Sequence, residues 1–112
     1  MLVDKPISEL LNAYKKREIT PVDVIEECYA NIQRNDSKIN SFITLIEKNE
    51  ALKRAKKIDL SLPLAGIPFV LKDAYLTQGI RTTAASKVLD DFIPPYSATV
   101  YKKVLEAGAI LL

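Results

Sequence analysis

Apolar residues recur at intervals of three and four positions in three segments before residue 60, which predicts three amphipathic helices. The first helix is predicted over Pro6–Lys16 and the third over Asn49–Ile58. The second begins at Thr20, which is followed by a proline at the first helical position and an aspartate in the first turn, and it should end near Arg34. The apolar face of the first helix is Ile7, Leu10, Leu11 and Tyr14, and that of the second is Val22, Ile25, Cys28, Tyr29 and Ile32.

The segment between the second and third helices changes from polar to apolar. Residues 35–40 predict a polar turn, and Ser41–Ile46 has the β-branched and aromatic content of a short strand. The third helix then carries the basic pairs Lys53–Arg54 and Lys56–Lys57. A basic helix is one way to contact RNA, but apolar residues on the other side of this helix favour a solvated face for the lysines.

An almost unbroken apolar run, Leu64–Leu71, leads to Lys72 and Asp73. Its composition predicts a strand buried on both faces of a sheet. Ligands bind at the carboxyl ends of strands in open α/β sheets, so Lys72 is placed where chemistry is commonly done. The alternative is that Lys72 only caps the strand in solvent.

The residues after Asp73 predict a loop in which Gly79 takes a positive φ. Small and hydroxylated side chains at positions 82–86 are expected to pack around the end of the lysine strand. Ser86 is predicted to cap a short helix over Lys87–Phe92, which explains this serine without a nucleophilic role. Pro94 and Pro95 then predict a stiff, extended link.

The last part of the chain predicts a helix over Ala98–Glu106, ended by Gly108, and then a buried strand that begins at Ala109–Leu112. The side chains expected to face inward are Val100, Val104 and Leu105. Helices alternating with buried strands predict an α/β fold, a mixed β-sheet flanked by helices. Because a helix followed by the first residues of a core strand is half of an α/β unit, we expect residues 1–112 to belong to a larger domain.

Composition excludes several classes of chemistry. The chain is 48% hydrophobic and 27% charged, and a net charge of +2 is too small to indicate nucleic acid by itself. Without histidine, these residues contain no Ser-His-Asp or Cys-His pair and no zinc site of the Cys/His type. Cys28, the one cysteine, is expected to be a small core residue. No apolar run is long enough to span a membrane, and the N-terminus lacks the features of a signal peptide, so we expect a cytoplasmic protein.

From about Ile7 to its end the chain resembles the amidase signature family, and the resemblance is densest over Pro63–Ala109. The matching motifs are Leu64-Ala-Gly-Ile-Pro68, Lys72-Asp73, Thr82-Thr83-Ala84-Ala85-Ser86 and the Pro94-Pro95-Tyr96 segment with the Ala107-Gly108-Ala109 that follows it. Within the family, the pattern is most similar to the A subunits of glutamyl-tRNA(Gln) amidotransferases. The resemblance implies that residues 1–112 are the N-terminal part of an amidase domain, with N-terminal helices over residues 1–60 and the first core strands with the lysine segment over residues 61–112.

The resemblance also implies a catalytic residue. Family members use a Ser, cis-Ser, Lys arrangement, in which a neutral lysine relays a proton through the middle serine to the nucleophilic serine. The family's lysine corresponds to Lys72, and both serines belong to segments beyond Leu112. Only a neutral amine accepts a proton, and burial favours the neutral form of lysines, so we expect the apolar strand to carry Lys72 into the interior. Asp73 should point to the opposite face and act structurally. Ala74 stands where the family often has asparagine, which puts a polar contact there in doubt.

For the whole protein, the resemblance implies a glutaminase that supplies ammonia for converting Glu-tRNA(Gln) into Gln-tRNA(Gln) together with the B and C subunits of the amidotransferase. No cofactor is expected in this chain, since ATP and Mg²⁺ are used by a partner protein in the family. One alternative is an amidase that cleaves a small amide. The other is a non-catalytic interaction module, if the natural protein ends at Leu112.

Overall fold

The computed structural model describes residues 1–112, which form four α-helices and a two-stranded sheet. The α-helices are α1 (Ile7–Lys15), α2 (Pro21–Ile39), α3 (Lys48–Lys57) and α4 (Thr99–Glu106), and the strands are β1 (Pro68–Phe69) and β2 (Ile110–Leu111). Two short 3₁₀ helices cover Leu2–Asp4 and Lys87–Leu89. The predicted α/β character is therefore confirmed, with three of the helices preceding the first strand.

The start of α2 follows the predicted capping pattern. The backbone N–H of Asp23 donates to Oγ1 of Thr20 over 3.3 Å, and the backbone N–H of Thr20 donates to the Asp23 carboxylate over 2.8 Å. The Thr20 hydroxyl also donates to this carboxylate over 2.7 Å, and this bond together with that from the Thr20 N–H holds the pKa of Asp23 below its usual value. The two backbone N–H bonds satisfy two of the amides that a helix otherwise leaves without partners, so the sequence defines this end of α2 to the residue.

The predicted turn at residues 35–40 is wrong, because α2 continues to Ile39. The side chain of Asn35 faces solvent and donates to the backbone oxygen of Asn31 over 3.1 Å, so it does not interrupt the helix. Asn40 ends it instead, with a left-handed φ of +53° and its N–H bonded to the Asp36 oxygen over 2.7 Å. The last turn of α2 is exposed and can therefore be polar. Hydrophobic periodicity, from which the helix was predicted, does not extend into it.

Helix α2 is the centre of the core and packs on two sides. One cluster contains Leu10 and Tyr14 of α1 with Val24 and Ile67. The other joins α2 to α3 and β2 and consists of Ile25, Tyr29, Ala51, Ala55, Ile110 and Leu112. Val24 is fully buried although it lies outside the predicted stripe, because two partners widen the apolar face of α2. Cys28 is half-buried and contacts both clusters, as expected for a core residue.

The predicted strand over Ser41–Ile46 is absent, and these residues form an irregular segment. Phe42 packs against the core, the N–H of Ile46 donates to the Leu112 oxygen over 2.6 Å, and the Tyr29 hydroxyl donates to the Ile46 oxygen over 2.7 Å. A strand needs a ladder of bonds along its length, and this segment has only that single backbone bond to the end of β2.

Strands β1 and β2 pair in parallel, with Pro68 opposite Ile110 and Phe69 opposite Leu111. The predicted strand over Leu64–Lys72 is thus much shorter and is not buried on both faces, since the Val70 side chain is 64% exposed. No strand of this chain lies beside residues 70–72, so regular pairing stops at Phe69. The strand predicted from Ala109 is confirmed, and its apolar residues are buried against α2 and α3.

Helix α4 has the predicted bounds to within a residue, but its inward face differs. Tyr101 is buried while Val100 is about half exposed, and Val104 and Leu105 lie between these extremes. Tyr101 contacts Phe69 of β1, with ring centroids 6.5 Å apart, so the larger apolar surface takes the inner position. Gly108 follows the helix with φ +97°, as predicted. Ser86 precedes only a 3₁₀ turn and makes no side-chain cap, so that predicted role is wrong.

Gly66 is a point of close approach between the first and last parts of the chain. Its φ is +71°, and a Cβ built there would lie 2.5 Å from the Cβ of Pro21. The Gly66 N–H donates to the Gly108 oxygen over 2.9 Å, next to the β1–β2 ladder. Any side chain at this position would push the start of α2 away from the sheet.

We predict that Gly66→Ala destabilises the protein by about 3 kcal/mol, from a left-handed alanine plus overpacking against Pro21. Gly79→Ala is the matched control, because Gly79 has a similar φ of +76° but no atom within 4 Å of the added methyl group. This control should lose only about 1 kcal/mol. Urea unfolding of both variants measures the difference, and equal losses would show that the contact with Pro21 does not constrain the fold.

We also predict a specific loss of stability at alkaline pH. Burial, with Cys28 and Asp23 nearby, raises the pKa of Tyr14 from 10.0 to about 12. Because the pKa in the folded state exceeds that in the unfolded state, the contribution of neutral Tyr14 to the free energy of unfolding is fully present below pH 10 and is lost as the pH rises through 12. Between pH 9 and 12, the free energy of unfolding of Tyr14→Phe should therefore fall by about 1–2 kcal/mol less than that of the wild type. Tyr96→Phe, at an exposed position, is the control, and identical pH dependence in all three proteins would contradict the assignment.

Candidate functional site

Lys72 lies three residues after β1 and is exposed. The side chain does not enter the interior formed by residues 1–112, because β1 ends at Phe69 and both Val70 and Lys72 are exposed. Burial of Lys72 in the complete domain stays a prediction. Lys72 forms no ion pair with Asp73 or with any other carboxylate. The backbone therefore sets the position of this residue, and no ion pair restrains its amine.

A cavity of about 340 Å³ lies beside Lys72. Its walls come from the irregular segment 41–46, the lysine segment 70–73, the loop from Tyr75 to Thr82, and the end of β2. Most of the lining is apolar, including Phe42, Ile80 and Leu111, and the polar groups include Lys72 and Arg81. Four separate parts of the sequence thus line one cavity that has a lysine in its wall, which makes this cavity the candidate site.

Asp73 has a structural role in this arrangement, as predicted. Its carboxylate accepts the backbone N–H of Thr83 at 3.1 and 3.0 Å and also the Thr83 hydroxyl. Its backbone oxygen accepts the Ala84 N–H over 2.6 Å. We call these bonds the Asp73–Thr83 clasp. The clasp joins Asp73, the residue after Lys72, to the small-residue segment, residues 82–86. It therefore connects the two ends of the loop between them.

The small-residue segment has an unusual backbone at Ala84 and Ala85. Both have positive φ values, 51° and 56°, a conformation that costs an alanine roughly 1–2 kcal/mol. The clasp stabilises this turn, and the Thr83 hydroxyl oxygen also accepts the Ala85 N–H over 3.1 Å. A β-branched or bulky side chain at either position would cost more still.

Thr77 and Thr82 complete the buried polar contacts below the cavity. Their hydroxyl oxygens are 2.7 Å apart, and the Thr82 N–H donates to the Phe92 oxygen over 3.0 Å. Both threonines are buried, and both hydroxyl groups have hydrogen-bond partners. The prediction that residues 82–86 pack around the end of the lysine strand is confirmed for Thr83, which bonds to Asp73.

Arg81 was not identified from the sequence, although its side chain makes polar contacts at the cavity that span 37 and 38 positions. Its Nη1 donates to the Ile43 backbone oxygen over 3.2 Å and to Oγ1 of Thr44 over 3.0 Å. Its other nitrogens donate to the backbone oxygen and carboxylate of Asp90. The acid nine residues after the arginine was the one available signal, whereas the contact with residues 43–44 has no local pattern.

The remaining chemical groups add no second reactive centre. Burial raises the pKa of the Cys28 thiol, which disfavours the thiolate. The Ser41 hydroxyl lines the cavity and donates to the Asp36 carboxylate. The lysine pairs of α3 are exposed, in agreement with a solvated face. No three side chains of the types that hold metal ions come together, and none of the helices has the length and apolar character needed to cross a membrane.

Comparisons with known proteins agree on one family. A family model described as Amidase matches residues 23–112. The chain is 42% identical to a glutamyl-tRNA(Gln) amidotransferase A subunit of Clostridium acetobutylicum, over 99% of this chain and 24% of that protein. Residues 1–112 thus span about a quarter of the length of the curated relatives that they match.

Solved structures give the same answer. The chain superposes on the glutamyl-tRNA(Gln) amidotransferase A subunit of Thermotoga maritima with a TM-score of 0.71 and 32% identity, covering 96% of this chain and 22% of that one. It superposes on a bacterial aryl acylamidase of the amidase signature enzymes with a TM-score of 0.84 and 23% identity, covering 96% of this chain and 24% of that one, which is a likeness of fold. The chain therefore belongs to the amidase family.

Proposed function

We propose that the whole protein is an amide hydrolase of the glutaminase type and that Lys72 is its general base. The observation that supports this most directly is the position of Lys72, an unpaired amine at the end of the segment that follows β1, beside a 340 Å³ cavity. A lysine in the wall of that cavity can come within hydrogen-bond reach of a hydroxyl group bound there.

The proposed mechanism needs two serines and a dry site in addition to Lys72. The amine takes a proton from a middle serine, which takes one from the nucleophilic serine as that oxygen attacks the amide carbon. The lysine ammonium returns its proton through the middle serine to the amide nitrogen, which leaves as ammonia. Water then gives a proton to the lysine through the middle serine as it attacks the acyl-enzyme ester, and that proton returns to the nucleophilic serine as the acid is released. Both serines, and the cover that excludes water from Lys72, belong in this proposal to parts of the domain outside residues 1–112.

The Asp73–Thr83 clasp has a supporting role in this proposal. It fixes the peptide that follows Lys72, which limits the directions in which the amine can point. A base that is held in place loses less entropy when the substrate reacts, and small displacements of a reacting group are costly. Asp73 acts through the backbone and takes no part in proton transfer.

Glutamine is the proposed substrate because the relatives at about 40% identity are named as A subunits of glutamyl-tRNA(Gln) amidotransferases. In the proposed complex, the B and C subunits bind Glu-tRNA(Gln) and use ATP and Mg²⁺, and this protein supplies ammonia. A second candidate function is hydrolysis of a small apolar amide. The apolar lining formed by Phe42, Ile43 and Ile80 favours it, since such a lining suits an aromatic or aliphatic group.

We predict that Lys72→Ala in the full-length protein lowers the rate of ammonia release from glutamine by about 10²–10⁴-fold, the usual contribution of a general base. The variant should stay folded, because no ion pair of residues 1–112 involves Lys72, and circular dichroism checks this. Lys103→Ala, at an exposed position of α4, is the matched control and should keep full activity.

Near-normal turnover by the folded Lys72→Ala protein would mean that Lys72 is not the base. An aliphatic or aromatic amide assayed in parallel separates the two candidate functions. Preference for glutamine supports the role in the amidotransferase, and preference for the apolar amide supports the second candidate.

A further inference from the structure

One side chain, Arg81, connects two walls of the cavity that are far apart in sequence. Its Nη1 reaches Ile43 and Thr44, and its Nε and Nη2 reach Asp90. The guanidinium group has five N–H donors in a rigid plane, so it can serve both segments at once, whereas a lysine ammonium at this position lacks that fork.

The segment that Arg81 holds has few other attachments. The backbone bond of Ile46 to Leu112 anchors its end, and the bonds of Ser41 to Asp36 anchor its start. No other hydrogen bond than those of Arg81 reaches residues 42–45. Ile43 and Leu45 are exposed, so packing adds little there. The position of residues 43–44 therefore depends on Arg81.

These residues also form part of the cavity beside Lys72. Phe42, Ile43 and Thr44 line it together with Lys72 and Arg81. We infer that Arg81 is a positioning residue that fixes residues 43–44 of the wall of the amide-binding cavity, next to the core-packed Phe42, and thereby sets the affinity for substrate. This inference rests on the proposed function, because it takes the cavity to be the place where the amide binds.

Stabilisation of the whole fold is a weaker explanation for the contacts of Arg81. Its ion pair with Asp90 is at the surface, where Asp90 is 72% exposed, and such pairs contribute little to global stability. The bonds to residues 43–44 cross 38 and 37 positions of sequence and reach a segment without regular structure. Their effect is thus local to the cavity wall.

The test compares Arg81→Gln with Lys87→Gln in the full-length protein. Lys87 is exposed, makes no ion pair and lies outside the cavity, so it controls for the loss of one positive charge. Chymotrypsin cleavage after Phe42 and Leu45, followed by mass spectrometry, reports opening of the wall. We expect Arg81→Gln to raise this cleavage rate roughly tenfold, since two hydrogen bonds are lost, and Lys87→Gln to leave it unchanged.

The second readout is the kinetics of ammonia release from glutamine. If the wall is in place only part of the time, KM rises by about three- to tenfold in Arg81→Gln while kcat stays within about twofold. Unchanged cleavage after Phe42 and Leu45 would overturn the inference, as would faster cleavage with an unchanged KM. Absence of glutaminase activity in the wild type would instead refute the proposed function, and the cleavage rates would still decide whether Arg81 holds the wall.

Discussion

The parallel ladder between the two strand segments is the interaction on which the rest of the structure depends. It begins before the strands proper, with the N–H of Leu64 bonded to the Ala107 oxygen and that of Gly66 to the Gly108 oxygen. It continues from Ile110 to the Ile67 oxygen and from Leu112 to the Phe69 oxygen. Because β2 is buried against α2 and α3, the ladder anchors β1 to the core and so places Lys72 three residues beyond it.

The same constraint links fold to chemistry at Gly66. This residue must approach Pro21 closely, and Pro21 is the first residue of the capped helix α2. The start of α2, the ladder and the lysine segment therefore hold one another in place. Loops with little regular structure then complete the cavity, and each is attached by a few polar contacts, the Asp73–Thr83 clasp on one side and Arg81 on the other.

Sequence reasoning succeeded where the signal is local. The capping residues Thr20 and Pro21 located the start of α2, and the periodicity of Ala51 and Ala55 located α3. It failed where partners decide the outcome. Ser41–Ile46 has the composition of a strand, but no strand lies beside it. In α4 the inward position was predicted for Val100 but is occupied by Tyr101, whose ring contacts Phe69.

The candidate site divides in the same way. The motif around Lys72 and Asp73 could be recognised in the sequence, and the structural role predicted for Asp73 agrees with its bonds to Thr83. The exposure of Lys72 within residues 1–112 matches the alternative of a lysine that ends the strand in solvent, because an apolar run is buried only where other elements cover it. Arg81 was missed since its partners lie 37 and 38 positions away, beyond any local pattern.

A crystal structure of the full-length protein with a bound amide analogue would show whether Lys72 is placed to take a proton from a serine in the complete enzyme. We expect the Lys72 Nζ to be covered from solvent and to lie within about 2.6–3.2 Å of a serine hydroxyl oxygen, next to the cavity lined by Phe42 and Ile80. A Lys72 side chain that stays in solvent, with no serine in reach of its amine, would contradict its role as the general base.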